Sequence, residues 1–350
     1  VFSRAQVNHR VRWLQQKLYP PTIAVIGGYH HGNLGDMALG YTAKHLLLQN
    51  LPLRESQVGL QTLYNLSRWK KPKAILVGGG AVLTSETIRM ISDHVSNDPR
   101  KVAFVGVDLL ERDIDASALD FLGRASSLLM RSSEEALHLR SLGLTNAGSM
   151  PDLVFGGHAF LASRGVIRRR SHVLGVNVVP QAIDEAGGAY AKHYSAFLRA
   201  VVRRHLCDGW SVIHVPFTPQ DHHAAKVVFA GLPVTLQRYV DSPSVVFRQT
   251  SSVERFVPSR YHSLVFAMLS STPVIPFLYA SKCYRLLADY FPGTAAFGVG
   301  SIAEALECAK AASELEPLSF NRERVERMTA AVQTKVQSAV RSLAQEVRLG

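Results

Sequence analysis

The strongest constraint on the fold is a pattern that recurs along the chain: a short apolar run, a glycine or polar loop, then a helical stretch. Residues 22–28 close on Gly27-Gly28, and residues 74–80 close on Gly78-Gly79-Gly80. Runs at 102–107 and 127–132 follow, and the pattern restarts at 173–179, 211–217 and 244–247. Apolar runs this short, without polar alternation, read as strands buried on both faces. Between and after them, helices are expected at 37–48, 134–142, 190–206, 281–290, 301–312 and 321–348, with an amphipathic basic helix over 1–19. Gly143 is a stop signal for the second of these. Strands alternating with helices predict an α/β protein with parallel, doubly wound sheets. In such sheets ligands collect at the C-terminal strand edges.

Residues 162–172 are polar, basic and unpatterned, and read as a linker. The expected organisation is an N-terminal Rossmann-like domain over 1–160, a C-terminal one over 173–320, and a terminal helix over 321–350. Two such halves would face each other across a cleft. A chain of 350 residues, 47% of them hydrophobic, can supply both cores.

Composition excludes several classes. Cys207, Cys283 and Cys308 are far apart and form no CxxC pair, which argues for a reducing compartment and against structural zinc. No apolar run reaches the roughly 18 residues a membrane span needs. The net charge of +12 favours anionic partners. No nucleic-acid module is present, so nucleic acid is not an expected partner, whereas peripheral contact with an anionic membrane surface is.

Two stretches carry chemistry. The first is the strand-to-helix turn Gly32-Asn33-Leu34-Gly35-Asp36. Glycines there let backbone N–H groups approach a phosphate, with help from the helix dipole. The spacing is neither the dinucleotide fingerprint nor the P-loop. Asp36 suits a helix cap or a ligand contact. The second is Ser259-Arg260-Tyr261-His262-Ser263, which opens an apolar helix that Pro273 ends. It places a planar cation and a titratable imidazole at a helix N-terminus beside a sheet edge. Arg131 stands at the edge of another strand. Asp221-His222-His223 lies in an expected loop, where neighbouring residues rarely all face one ion, so no metal site is expected.

Taken together, Gly32-Asn33-Leu34-Gly35-Asp36, Gly78-Gly79-Gly80, Arg131, Pro151-Asp152 and Ser259-Arg260-Tyr261-His262 resemble the polysaccharide pyruvyltransferases, over roughly residues 22–290. The resemblance implies two Rossmann-like domains of the GT-B type. It also implies transfer of pyruvate from phosphoenolpyruvate onto two sugar hydroxyls, as a ketal, with no other cofactor. On that basis His262 and Arg260 are the expected catalytic residues. Arg131, Gly32, Asn33, Gly35, Asp36, Gly79, Gly80 and Ser263 are expected at the donor, and Asp152, Asp221 and His222 at the acceptor. The acceptor would be a polysaccharide or its lipid-linked precursor, on the cytoplasmic side of the inner membrane. Family members often carry a basic residue where this chain reads Asn177-Val178-Val179-Pro180, so another group must take that place. The alternatives are a GT-B glycosyltransferase using a nucleotide sugar and a non-catalytic binding protein. The C-terminal half lacks the two glutamates eight apart that many retaining glycosyltransferases use, and a binding protein would make Arg260 and His262 dispensable.

Overall fold

The computed structural model describes residues 21–29, 32–63, 66, 70–162, 168–180, 188–294, 296–298, 304, 306, 307, 310 and 316–348. The helix expected at 1–19 and most of that expected at 301–312 lie outside the described residues. The chain divides into two compact units: Val1–His30, Asp36–Gly157 and Thr329–Gly350 in one, His31–Gly35 and His158–Met328 in the other.

The first unit is built on a six-stranded, all-parallel sheet ordered β2-β1-β3-β4-β5-β6. Its strands are β1 Ile23–Gly27, β2 Val58–Thr62, β3 Ala74–Leu83, β4 Val102–Leu109, β5 Ser127–Met130 and β6 Ala147–Ser149. Every residue of β1 and β4 is buried, as expected for strands covered on both faces. The covering helices are α1 Leu34–Asn50, α2 Ser85–His94, α3 Ala116–Gly123 and α4 Ser133–Ser141. Their starts follow the usual cap chemistry: Thr84, Asp115 and Ser132 each accept a backbone N–H from the first turn. Gly143 ends α4 in the left-handed region, at φ +95°. Between β1 and β3 the chain changes its direction of travel across the sheet, which makes a topological switch point.

The glycines of β3 serve packing. The Tyr29 hydroxyl donates to the carbonyls of Gly78 (2.6 Å) and Ile26 (3.1 Å). A Cβ on Gly78 would stand 2.6 Å from that hydroxyl, and one on Gly79 2.7 Å from Leu39. Burial pushes the Tyr29 phenol far above its ordinary pKa, so it remains a donor.

The second unit carries a four-stranded parallel sheet ordered β10-β7-β8-β9, with β7 Val173–Val176, β8 Ser211–His214, β9 Val234–Leu236 and β10 Arg255–Val257. Its switch point lies between β7 and β10. A two-stranded pair, β11 Phe277–Leu278 and β12 Phe297–Gly298, stands apart from it. The helices are α5 His158–Ala162, α6 Gly188–Cys207, α7 Pro219–Val228, α8 Pro243–Ser251, α9 Tyr261–Leu269 and α10 Ser281–Tyr290, while α11 Arg322–Glu346 belongs to the first unit from Thr329 onward. Tyr194 and Phe197 of α6 meet the Phe277 ring at centroid distances of 4.8 and 5.3 Å, in the middle of this core.

Three expectations need correction. The strand expected at 244–247 is helix α8: Pro243 presets its first turn, and the buried residues 243, 244, 246, 247, 250 and 251 keep helical spacing. The loop expected to hold His222 and His223 is the start of α7, capped by Thr218 with Pro219 at its first position. The terminal helix α11 is not a separate element. Its Val332 and Leu46 of α1 both press on Gly156, where an added Cβ would sit 2.8 and 2.9 Å from them. The Lys335 ammonium donates to the Ser149 carbonyl, and Ser342 to that of Ser126.

Candidate functional site

In the second unit the loops after β7, β8 and β10 meet at the switch point. Asn177, just beyond β7, holds them together. Its Nδ2 donates to the Val215 carbonyl and to Asp221, both at 3.1 Å. Its Oδ1 accepts the Arg260 N–H at 3.0 Å, and its carbonyl accepts the Ser259 hydroxyl at 2.8 Å. A lysine or arginine here could not make all four of these contacts and would break this junction.

Asp221 is fully buried and its two oxygens accept from several directions. Phe217 N–H (2.9 Å), Thr218 N–H (3.2 Å) and the Thr218 hydroxyl (2.7 Å) come from its own turn. From across the sheet, Arg260 Nε lies 2.9 and 2.8 Å from the two oxygens, and Nη2 lies 2.5 Å from Oδ1. The carboxylate therefore fixes the guanidinium instead of facing a sugar. Burial works against the Arg260 charge, but Asp221 outweighs it and raises the pKa. Ser263, expected at the donor, is occupied locally: its hydroxyl accepts the Arg260 N–H at 3.0 Å and donates to the Arg260 carbonyl at 2.6 Å. That contact caps α9.

His262 lies in the first turn of α9, 8% exposed, with its ring edge-on to Tyr261 at 5.1 Å. The turn 32–35 packs against this part of the second unit. Leu34 N–H donates to the Phe217 carbonyl at 3.0 Å, and a Cβ on Gly32 would stand 3.6 Å from Pro219 of α7. Asn33 Oδ1 accepts the Gly35 N–H at 3.1 Å, shaping the start of α1. Gly35 meets the His262 ring so closely that an added Cβ would lie 2.2 Å from Nδ1. Gly32, Asn33, Gly35, Asp221, Arg260 and His262 are thus brought together in one place. His222 is beside them in sequence, but its Nδ1 is tied to the Gln237 carbonyl at 3.0 Å.

The remaining expected residues belong to the first unit. Asp36 is a first-turn acid of α1. Gly79 and Gly80 hold φ of +82° and +91°, open to glycine and strained for other residues. Arg131, 6% exposed, is ion-paired to Asp108 and, at 3.4 Å, to Asp152. Expected on two different substrates, Arg131 and Asp152 hold each other. Asp108 sits one residue past the apolar run that marked its strand. A carboxylate at the end of a fully buried strand was the signal that a buried cation had to follow. Among the described residues no group of three His, Cys, Asp or Glu side chains is placed to hold a metal.

The sequence reading also passed over His214, at the end of β8. It is fully buried and neither ring nitrogen has a hydrogen-bond partner among the described residues. Burial lowers its pKa to about 4, Asp221 partly offsets this, and His222 lowers it further. The neutral ring is the one the fold accepts, so stability is complete above the unfolded value near 6.5. It falls as pH drops toward 4, by about 3 kcal/mol in all. Denaturant titrations across this window are expected to show that loss, and a much flatter profile for His214→Leu. Equal slopes in both proteins would assign the pH dependence to other groups.

A family model described as polysaccharide pyruvyl transferase matches residues 33–281. No curated protein matches the sequence. Among solved structures, UDP-GlcNAc 2-epimerase from Methanocaldococcus jannaschii is similar at TM-score 0.54 and 9% identity, covering 88% of this chain and 98% of that one. The Neisseria meningitidis enzyme is similar at 0.52 and 10%, covering 93% and 99%. The Rickettsia bellii enzyme is similar at 0.51 and 8%, covering 94% and 100%. At such identities the likeness shows the fold alone: two Rossmann-like domains of GT-B-like type.

Proposed function

The chain belongs to the polysaccharide pyruvyl transferase family, and we propose that it moves the enolpyruvyl part of phosphoenolpyruvate onto two hydroxyls of a sugar, forming a pyruvate ketal. The observation that carries this reading is the packing of the Gly32–Gly35 turn on His262, two residues from an arginine held rigid by Asp221. A donor bearing a carboxylate and a phosphate suits a fixed guanidinium at a helix N-terminus.

His262 delivers a proton to the methylene carbon of the donor. A C–H bond forms, the double bond is consumed, and C2 becomes cationic, supported by its phosphate oxygen. The first sugar hydroxyl adds to C2 and loses its proton. The C2–O bond to phosphate then breaks, and Arg260 with the dipole of α9 stabilises the charge on the departing phosphate. The second hydroxyl adds to C2 and closes the ring. One of the two hydroxyl protons restores His262 and the other leaves with phosphate. The scheme uses phosphoenolpyruvate as donor and calls on no further cofactor. Arg131 and Asp152, paired in the first unit, are left outside it.

The acceptor in this reading is a polysaccharide or its lipid-linked precursor, met on the cytoplasmic face of a membrane. No helix among the described residues is long and apolar enough to cross one. The nucleotide-sugar alternative gains nothing from the epimerases, whose likeness extends only to fold.

Thermal denaturation with phosphoenolpyruvate, UDP and GDP tests the donor. Stabilisation by phosphoenolpyruvate alone is expected, and stabilisation by nucleotides alone would overturn the proposal. In His262→Ala the same stabilisation is expected to persist while turnover falls by about 10²–10⁴-fold, the usual worth of a general acid. Near-normal turnover would take His262 out of the chemistry.

A further inference from the structure

The first unit has a second charged feature, far from its glycine-rich edge. A hollow of about 360 Å³ is lined by Lys71, Lys73, Lys101 and Arg348, with His94 and a single carboxylate, Glu346. Lys73 immediately precedes β3 and Lys101 immediately precedes β4, so the hollow sits at the N-terminal edge of the sheet. Gly80 lies seven residues further along β3, about 20 Å at the rise of an extended strand. One ligand phosphate cannot occupy both places.

Four permanent cations around one carboxylate repel each other. Among the described residues Lys71, Lys73 and Arg348 have no ion-pair partner, and Lys101 reaches only Asp98, at 3.6 Å on the surface. The fold gains nothing from this crowding, whereas a bound anion would relieve it. Lysines supply mobile point charges that suit phosphate oxygens. Pro72, Val95 and Val347 give the hollow apolar walls, and its volume falls within the range of small-ligand sites.

We propose that this hollow is a binding site for a phosphate-type anion, separate from the transfer site and independent of the function proposed above. The phosphate has two possible sources, a soluble phosphate compound and an acidic phospholipid headgroup, and they are separable. The full chain is titrated with inorganic pyrophosphate by calorimetry. It is also floated with phosphatidylcholine vesicles with and without phosphatidylglycerol. Both are done at low and at moderate salt, beside a Lys71→Gln, Lys73→Gln, Lys101→Gln triple variant. All three side chains project from the surface, so the variant is expected to fold and to keep its transfer activity.

Binding at low salt that weakens at least about tenfold in the triple variant is expected, the loss of roughly 1.4 kcal/mol of attraction. If pyrophosphate shows it, the ligand is soluble; if only phosphatidylglycerol vesicles show it, the ligand is a headgroup. Absence of binding to both, or binding that the triple variant retains in full, overturns the proposal.

Discussion

Gly35→Ala is expected to lower turnover by about 10²-fold or more, the scale that goes with displacing a reacting group by roughly 1 Å. The new methyl carbon would stand 2.2, 2.4 and 2.6 Å from Nδ1, Cγ and Cβ of His262. Cβ stays in place whatever rotamer the ring adopts, so a rotamer change cannot clear the 2.6 Å contact. Either the turn or the ring must move, and overpacking of this kind costs about 1–3 kcal/mol. The sign of the stability change is informative, because Gly35 is not among the left-handed glycines and lies in the first turn of α1. Without the clash, alanine would gain up to about 1 kcal/mol of helix propensity. Denaturant unfolding and turnover are measured on the same preparation. A variant both more stable and fully active would show that Gly35 and His262 are not in contact.

That contact joins residues 227 positions apart, and no sequence pattern announces it. What the sequence does display is chemical type and local order. The runs holding β1, β3 and β4 are legible because burial on both faces strips them of polar alternation. Short edge strands are not: β9 and β10 have three residues each, too few for a period to show. β2 carries Gly59 and Gln61 among its five residues, so nothing apolar repeats. The helix that follows Arg260 is legible from its run of apolar residues closed by Pro273. The use of its arginine is not, because the partner is Asp221, a residue of α7 that sequence spacing leaves beside two histidines and inviting a ligand role. Arg131 shows the same limit. An arginine at a strand edge looks like an anion clamp until the neighbouring strand and the turn after β6 supply two carboxylates.

Asp221→Ala follows from the same pairing and is expected to cost about 3–5 kcal/mol, the range for removing one member of a buried ion pair. Arg260 would keep its charge with only 11% of its side chain open to water. The N–H groups of Phe217 and Thr218 and the amide of Asn177 would lose their acceptor at the same time. Asp221→Asn separates charge from shape. It removes the negative charge and turns an NH₂ toward groups that are themselves donors, so it is expected to restore little. The pair can be isolated by combining Asp221→Ala with Arg260→Met. If the penalty of the single change is mainly an uncompensated guanidinium, the double variant is more stable than Asp221→Ala alone. Transfer activity is lost in both, because a guanidinium that is unheld or absent cannot fix the donor. A double variant no more stable than the single one would mean that Asp221 acts through the backbone of its own turn. Asp221→Ala with unchanged turnover would mean that the placement of Arg260 does not matter to the reaction.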